Sequence, residues 1–359
     1  MSGSESTAHN AFLELLGRLR PEIDRRIAER YDVVVARART HGPHVAAMVE
    51  ASRDLALRGG KRLRAGLIAA GWLAAGGDAD LEAPIEGGVA FELLQTYLLI
   101  QDDWMDGDMT RRGGPSVHAA LTRALDGTQR GASSAILASD LTWGLSVETL
   151  LGIERLSAEA RIEVLSTFLR VHEDVVLGQQ LDILGASEDV EAMHDLKTGS
   201  YTIRGPLVLG ATMAGGSHEL REFLTRFSAP LGVAFQLRDD LLGTFGDPAE
   251  TGKPVGNDII VGKRTALVVE AERLASEDER RAIASAFDRG DASEAAVGAA
   301  TSAMISSGAR RAVEERQGTL CDRALAMLDE SLLPVAVRPV LAGIVDAIRV
   351  RPSEPKVRS

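Results

Sequence analysis

Apolar residues recur at three- and four-residue spacing along most of the chain, and few segments alternate with period two. That periodicity predicts helices over residues 12–30, 63–75, 85–100, 157–184 and 219–242. Glycine and proline punctuate the pattern at Gly42-Pro43, Gly76-Gly77, Gly113-Gly114-Pro115, Gly205-Pro206, Gly215-Gly216 and Asp247-Pro248, where breaks are expected. No repeat of fixed period and no long linker interrupts it. The expectation is an all-α, single-domain helical bundle over residues 11–350, with a flexible N-terminus at 1–10 and a flexible C-terminal tail at 351–359.

Composition narrows the function classes. Asp plus Glu number 52 against 40 Lys plus Arg, a net charge of −12, and no long basic run appears; nucleic acid is not an expected partner. The single cysteine, Cys321, excludes an internal disulfide framework and a cysteine-based zinc site, and suits a reducing cytoplasm. No basic stretch precedes an apolar run near Met1, so no signal peptide is expected. The longest uncharged stretch, 65–77, is short and glycine-rich, so no stable membrane insertion is expected either. The basic residues of the tail, Arg349, Arg351, Lys356 and Arg358, read as a solvated end.

The chemistry begins at Asp102-Asp103-Trp104-Met105-Asp106, which closes an apolar helix. At about 100° per residue, Asp102 and Asp106 point about 40° apart and Asp103 lies about 60° from Asp106. Like charges so placed destabilise a helix unless something neutralises them. Hard divalent cations do so, and Mg²⁺ brings substrate phosphates with it. A second apolar helix ends at Asp239-Asp240. Either cluster alone reads equally well as a solvated helix end; two of them suggest a metal-bridged polyphosphate.

A diphosphate also needs cations. Gly59-Gly60-Lys61-Arg62-Leu63-Arg64 places basic residues at a helix start, where anions are attracted, with Lys61 and Arg64 on one face. Arg111-Arg112-Gly113 follows the first acidic cluster closely, with intrahelical salt bridges as the plainer reading. Lys197-Thr198, Lys253 and Lys263 are further candidates, though each alone is weak and reads more readily as a solvated lysine. Residues 256–263 nearly spell a P-loop, but five residues separate the glycines and Arg264 stands where Ser or Thr should bind Mg²⁺. The histidines show no ligand spacing, and no serine nucleophile elbow is present.

In this order the motifs resemble those of the trans-prenyl diphosphate synthases, the polyprenyl synthetase family, over roughly residues 50 to 345. Gly59 to Arg64 resembles the GGKRxRP motif. Asp102 to Asp106 with Arg111-Arg112-Gly113 resembles the first aspartate-rich motif and its trailing RRG. Lys197-Thr198 is similar to the KT pair, and Phe235 to Asp240 to the second aspartate-rich motif. The stretches Gly246-Asp247-Pro248, Thr251-Gly252-Lys253-Pro254 and Gly262-Lys263-Arg264-Thr265 resemble its downstream segment.

The resemblance implies an isoprenoid-synthase-type bundle around a central cavity, the two aspartate helices facing across it, and a homodimer. It implies Mg²⁺ on Asp102, Asp106 and Asp239, with Asp103 and Asp240 assisting. It implies an allylic diphosphate on Arg111, Lys197, Thr198, Gln236, Lys253 and Lys263, and isopentenyl diphosphate on Lys61, Arg64, Gln95 and Arg112. Three positions depart from the family pattern: Ala65 for Pro, Gln95 for a common His, and Gly243 for the third aspartate of the second motif, which Asp247 would or would not replace.

Competing readings are a class I terpene cyclase, which needs no isopentenyl site, a non-catalytic subunit of a heteromeric synthase, which would be expected to lose aspartates, and a purely structural helical protein. For product length, helical geometry nominates Leu98 and Leu94 below Asp102 as wall residues. Tyr97 is selected by the resemblance alone, as the bulky residue that floors short-chain pockets, the plainer reading being that it packs on a neighbouring helix. The implied product is geranylgeranyl (C20), with farnesyl (C15) next.

Overall fold

The computed structural model describes residues 2–184, 195–246, 256–287, 292–329 and 333–350, with the backbone alone for 2–10 and 257. The apolar periodicity becomes helix nearly throughout. In chain order these are α1 (Ser2–Arg39), α2 (Pro43–Leu57), α3 (Leu63–Ala74), α4 (Glu82–Met105), α5 (Val117–Ala124), α6 (Thr128–Leu151) and α7 (Ala158–Leu184). A π-helix (Asp195–Arg204) runs directly into α8 (Gly205–Met213). Then follow α9 (His218–Phe245), α10 (Asn257–Ile260), α11 (Ala266–Leu274), α12 (Glu277–Ala284), α13 (Glu294–Ser306), α14 (Ala309–Asp329) and α15 (Arg338–Ile348). The only strands among the described residues, β1 (Thr110–Arg111) and β2 (Gly114–Pro115), pair as an antiparallel hairpin. The all-α expectation holds.

Local chemistry explains the punctuation in most places. Pro43 starts α2 behind Gly42, whose φ of 116° only glycine adopts readily. Ser276 and Glu279 close a capping box on α12. Gly205-Pro206, expected as a break, is instead the seam between the π-helix and α8. Pro206 lies in the first turn of α8, where its missing N–H costs no intrahelical bond. At the N-terminus the backbone of α1 is already helical from Ser2, so most of the segment expected to be flexible continues that helix. Residues 351–359 lie outside the described residues.

The chain divides into two compact units. The first comprises Met1–Leu177, Ser200–Arg226 and Leu332–Ile344; the second comprises Gly178–Gly199, Phe227–Ser331 and Val345–Ser359. In the first unit α4 is buried on nearly all sides, as a helix apolar all round must be, and packs on α3, α6 and α1. Phe91, Leu94, Phe168 and Leu209 belong to one of its cores. Helices α3 and α8 approach until backbones touch. A Cβ on Gly71 would lie 2.0 Å from the Leu207 carbonyl oxygen, and one on Gly210 1.9 Å from that of Ile68. The second unit has its own core, in which Leu237 and Leu241 of α9 meet Leu267, Ala300, Met304 and Val313. Gln317 donates to the Ile348 carbonyl at 3.0 Å and Arg238 to that of Ala347 at 3.0 Å, tying down the end of α15.

The glycine contact between α3 and α8 makes a test. Helix propensity alone predicts a gain of about 1 kcal/mol for Gly→Ala in a helix interior. Gly144→Ala in α6, with nothing within 4 Å of its Cβ, should show that gain in urea denaturation. Gly210→Ala should instead lose about 1–3 kcal/mol by overpacking. Equal stabilisation of both variants would contradict the backbone contact.

Candidate active site

The first acidic cluster sits where the sequence places it, on the last turn of α4. Gly107, with φ of 71°, stops the helix in a left-handed conformation. Asp102 is half-buried, Asp103 fully buried and Asp106 exposed. Carboxylates at a helix C-terminus oppose the macrodipole. Arg111 answers part of that charge: its Nε donates to Asp103 Oδ1 at 2.6 Å, and its terminal nitrogen lies 3.1 Å from Asp108 and 3.5 Å from Asp102. Burial nonetheless pushes the Asp103 carboxyl up to about 6, against the pull of Arg111. The second carboxylate oxygen, Oδ2, is buried with no hydrogen-bond partner.

The Arg111 side chain comes from a hairpin, not from the helix, so intrahelical pairing does not explain it. The turn is Arg112-Gly113, with φ of 51° and 72°, the left-handed pair that a two-residue type I′ turn requires. Arg58 clamps this hairpin, donating to the carbonyls of Arg111 (3.1 Å) and Pro115 (2.8 Å). Gly114 admits the clamp, since a Cβ there would lie 2.4 Å from the Arg58 guanidinium.

The glycine-rich basic segment meets the same hairpin. Arg112 donates to the Gly59 carbonyl at 3.1 Å. Burial lowers the pKa of Arg112; Glu92 opposes the shift, while Arg62, Arg64 and Arg111 add to it, so four guanidinium groups crowd together here. Arg62 turns inward, donating to Glu92 (2.7 Å), Asp24 (2.8 Å) and the Ala56 carbonyl (3.0 Å), and so ties the start of α3 to α1 and α4. Lys61 is left exposed. Arg64 donates to Thr202 Oγ1 at 2.9 Å and stands 4.4 Å from the Tyr201 ring centre. Gln95, on α4, is 7% exposed, and its Oε1 has no partner.

In the second unit, Asp239 is exposed and Asp240 fully buried. Asp240 accepts from Gln236 Nε2 at 2.8 Å and from the Ala266 N–H at 3.0 Å, capping the start of α11. Burial lowers the Lys263 pKa, and Asp258, Asp240 and Asp239 more than reverse that, leaving a net rise. Lys197, on the π-helix, pairs with Asp182, and Thr198 beside it is half-buried. A Cβ on Gly178 of α7 would lie 2.3 Å from the Lys197 nitrogen, so only glycine lets α7 pass the π-helix. Such helices recur at functional sites. Lys253 and Asp247 lie outside the described residues.

Of the chain-length candidates, Leu94 is fully buried and Leu98 packs partly buried against the same core. Tyr97 is 8% exposed and hydrogen-bonds His172 Nε2 at 3.2 Å. Its ring centre is 5.6 Å from that of Trp143, which itself stacks on His172 at 4.1 Å.

The family model for polyprenyl synthetase matches residues 45–304. The chain belongs to the polyprenyl synthetase family. It is 33% identical over 239 residues to a short chain isoprenyl diphosphate synthase of Methanocaldococcus jannaschii, covering 65% of this chain and 69% of that protein. It is 35% identical to a geranylfarnesyl diphosphate synthase of Aeropyrum pernix, over 77% and 86%. The crystal structure of geranylgeranyl pyrophosphate synthase from Corynebacterium glutamicum, complexed with isoprenyl diphosphate and magnesium, superposes with a TM-score of 0.85. The two are 35% identical, over 93% of this chain and 98% of that one. The chain is thus an enzyme of the prenyl diphosphate synthase class, a transferase.

The donor set suits the divalent metal of a polyprenyl synthetase. Among the described residues no three Asp, Glu, His or Cys side chains converge into a metal cage. Mg²⁺ rarely needs one: it binds through one or two carboxylates, water and substrate phosphates. The half-buried Asp102 and exposed Asp106, on one helix end, offer that kind of oxygen. Several residues that shape the family motifs escaped the periodicity argument: Arg58, Asp182, Thr202 and Asp258. Each acts from outside the motif it supports.

The raised Asp103 carboxyl gives a pH test in metal-free protein. Its folded-state pKa exceeds the ordinary aspartate value of 3.8, so the folded state holds the proton longer and stability falls as pH rises through about 4 to 6. Relative to Asp103→Asn, the wild type should lose on the order of 2 kcal/mol across that window. Urea melts at several pH values in chelator measure it, and a gap that does not change with pH would contradict the assignment.

Proposed function

We propose that the enzyme condenses isopentenyl diphosphate with an allylic diphosphate, in a Mg²⁺-dependent reaction, to give a short-chain all-trans prenyl diphosphate, geranylgeranyl (C20) or farnesyl (C15). One observation carries this reading. In a single compact unit, an acidic helix end at Asp102–Asp106 is joined through Arg111 to a cluster of arginines whose charges disfavour one another. Such a pairing suits a ligand that brings both metal and phosphate.

In this reading Asp102, Asp106 and Asp239 hold Mg²⁺, which supplies positive charge to the departing diphosphate. Arg111, Lys197, Thr198, Gln236, Lys253 and Lys263 bind the allylic diphosphate, and Lys61, Arg64, Gln95 and Arg112 the isopentenyl diphosphate. Asp103 and Asp240 orient their neighbours, Arg111 and Gln236 respectively. The allylic C–O bond breaks, the isopentenyl double bond attacks the carbocation, and a proton leaves to the released pyrophosphate. No protein nucleophile is required; fixed cations stabilise the leaving group. The Corynebacterium relative bound to isoprenyl diphosphate and magnesium supports the ligand assignment. A cytoplasmic homodimer accompanies this reading, and no helix among the described residues is long and apolar enough to cross a membrane.

Incubating the purified protein with isopentenyl diphosphate, an allylic diphosphate and Mg²⁺ tests it by product analysis. Chain elongation is expected; cyclised hydrocarbon would favour a terpene cyclase, and no product a non-catalytic subunit. Asp102→Ala should cut turnover at least about 100-fold, as loss of an electrostatic catalytic group does, with the fold intact by circular dichroism. Full activity in excess chelator would contradict the metal. Chain length has its own test. Tyr97 is held between Trp143 and His172, so it makes a rigid stop. Tyr97→Ala should shift products to longer chains at similar total turnover; an unchanged distribution would move the stop to Leu98 and Leu94.

A further inference from the structure

A cavity of about 490 Å³ opens on the first unit where α7, α8 and the first turns of α9 meet. Small-molecule sites span about 300–1,000 Å³, so this one is large enough to hold a ligand. None of its lining residues belongs to the motifs of the candidate active site. Thr167 of α7 and Val208 and Thr212 of α8 are among its buried or half-buried residues. Arg170 of α7 and Arg226 of α9 are exposed, and Arg221 of α9 is half-buried.

The donors this cavity offers are guanidinium groups. Thr167, Thr212 and Thr225 each give their hydroxyl proton to the carbonyl one turn back on their own helix, at 2.9, 2.9 and 2.8 Å. Arg221 reaches from α9 to Glu163 of α7. His218 lies 3.3 Å from Glu222, the one acid in the lining. Both nearby carboxylates are thus engaged. Arg170 and Arg226 make no ion pair with a described residue, although Glu222 stands only one turn before Arg226. Three guanidinium groups face two carboxylates, an excess of positive charge on a chain whose net charge is −12.

We propose that this cavity is a second diphosphate-binding site, separate from the aspartate motifs and independent of metal. Guanidinium forks match phosphate oxygens two at a time, and Arg170 and Arg226 bring such forks from two different helices, with Arg221 on the same cavity. The diphosphate has two sources: free pyrophosphate, or the head of a prenyl diphosphate, for which Val208 adds apolar lining. Both are products under the proposed function. The binding itself does not depend on that function, because the two sites share no residue.

Calorimetric titration of the full-length protein in excess chelator, with inorganic pyrophosphate and with farnesyl diphosphate, tests it. The chelator removes any metal-bridged binding. Three proteins are compared: wild type, Arg111→Gln, and Arg170→Gln/Arg226→Gln. Wild type and Arg111→Gln should share a binding component that the double variant weakens at least about 10-fold, the effect of losing hydrogen bonds to a charged group. Both substituted arginines are exposed, so the double variant should melt with the wild type; if it does not fold, Arg226→Gln alone decides. Tighter binding of farnesyl diphosphate than of pyrophosphate supports a prenyl product as the ligand, and equal binding supports the free anion. No binding of either probe by the wild type, unchanged binding by the double variant, or loss of the component in Arg111→Gln overturns the inference. Failure of the protein to elongate chains would overturn the proposed function and leave this result standing.

Discussion

Carboxylates gathered near a helix C-terminus repel one another and the negative end of the helix dipole, and the arrangement of this protein answers that repulsion twice. On α4 the answer is a cation brought in on a hairpin, Arg111, itself clamped by Arg58. On α9 it is burial of Asp240 against the start of α11, where a helix N-terminus welcomes negative charge, with Lys263 close by. In each case one acid is committed to structure, Asp103 or Asp240, and its neighbours are left more accessible, Asp102 and Asp106 or Asp239. On each helix the more accessible acids lie where a cation from solution can reach them.

The arginine cluster is the complementary strain. Arg62 is neutralised by Glu92 and Asp24 and does structural work. Arg112 sits among Arg62, Arg64 and Arg111, which together lower its pKa beyond what burial does. Breaking a buried ion pair by removing one partner costs about 3–5 kcal/mol, so the Arg62–Glu92 pair holds the start of α3 firmly. The unpartnered Gln95 Oε1 on α4 marks another polar group that the fold leaves unsatisfied.

Helix positions and the two acidic helix ends were legible in the sequence because a period of 3.6 and adjacent aspartates are local signals. The predicted helix over 85–100 is the core of α4, and that over 219–242 is nearly all of α9. What escaped was non-local. Nothing near Arg111 in sequence announces a hairpin except Arg112-Gly113, whose turn chemistry competes with a helical reading of the same residues. Gly205-Pro206 has the composition of a break, yet a preceding π-helix carries the chain through it. The carboxylate that fills the space beside Gly243, that of Asp258, comes from a separate helix, and only close packing reveals it.

The proposed function has Asp102 and Asp239 serve one metal-bound diphosphate. A double-mutant cycle on Mg²⁺-dependent binding of an unreactive allylic thiolodiphosphate tests it most directly. If both acids act on the same ligand, Asp102→Ala and Asp239→Ala should each remove most of the Mg²⁺-dependent affinity and the double variant little more, a coupling well outside the about 0.5 kcal/mol expected of independent sites. Losses that simply add would contradict the claim and leave two separate acidic helix ends.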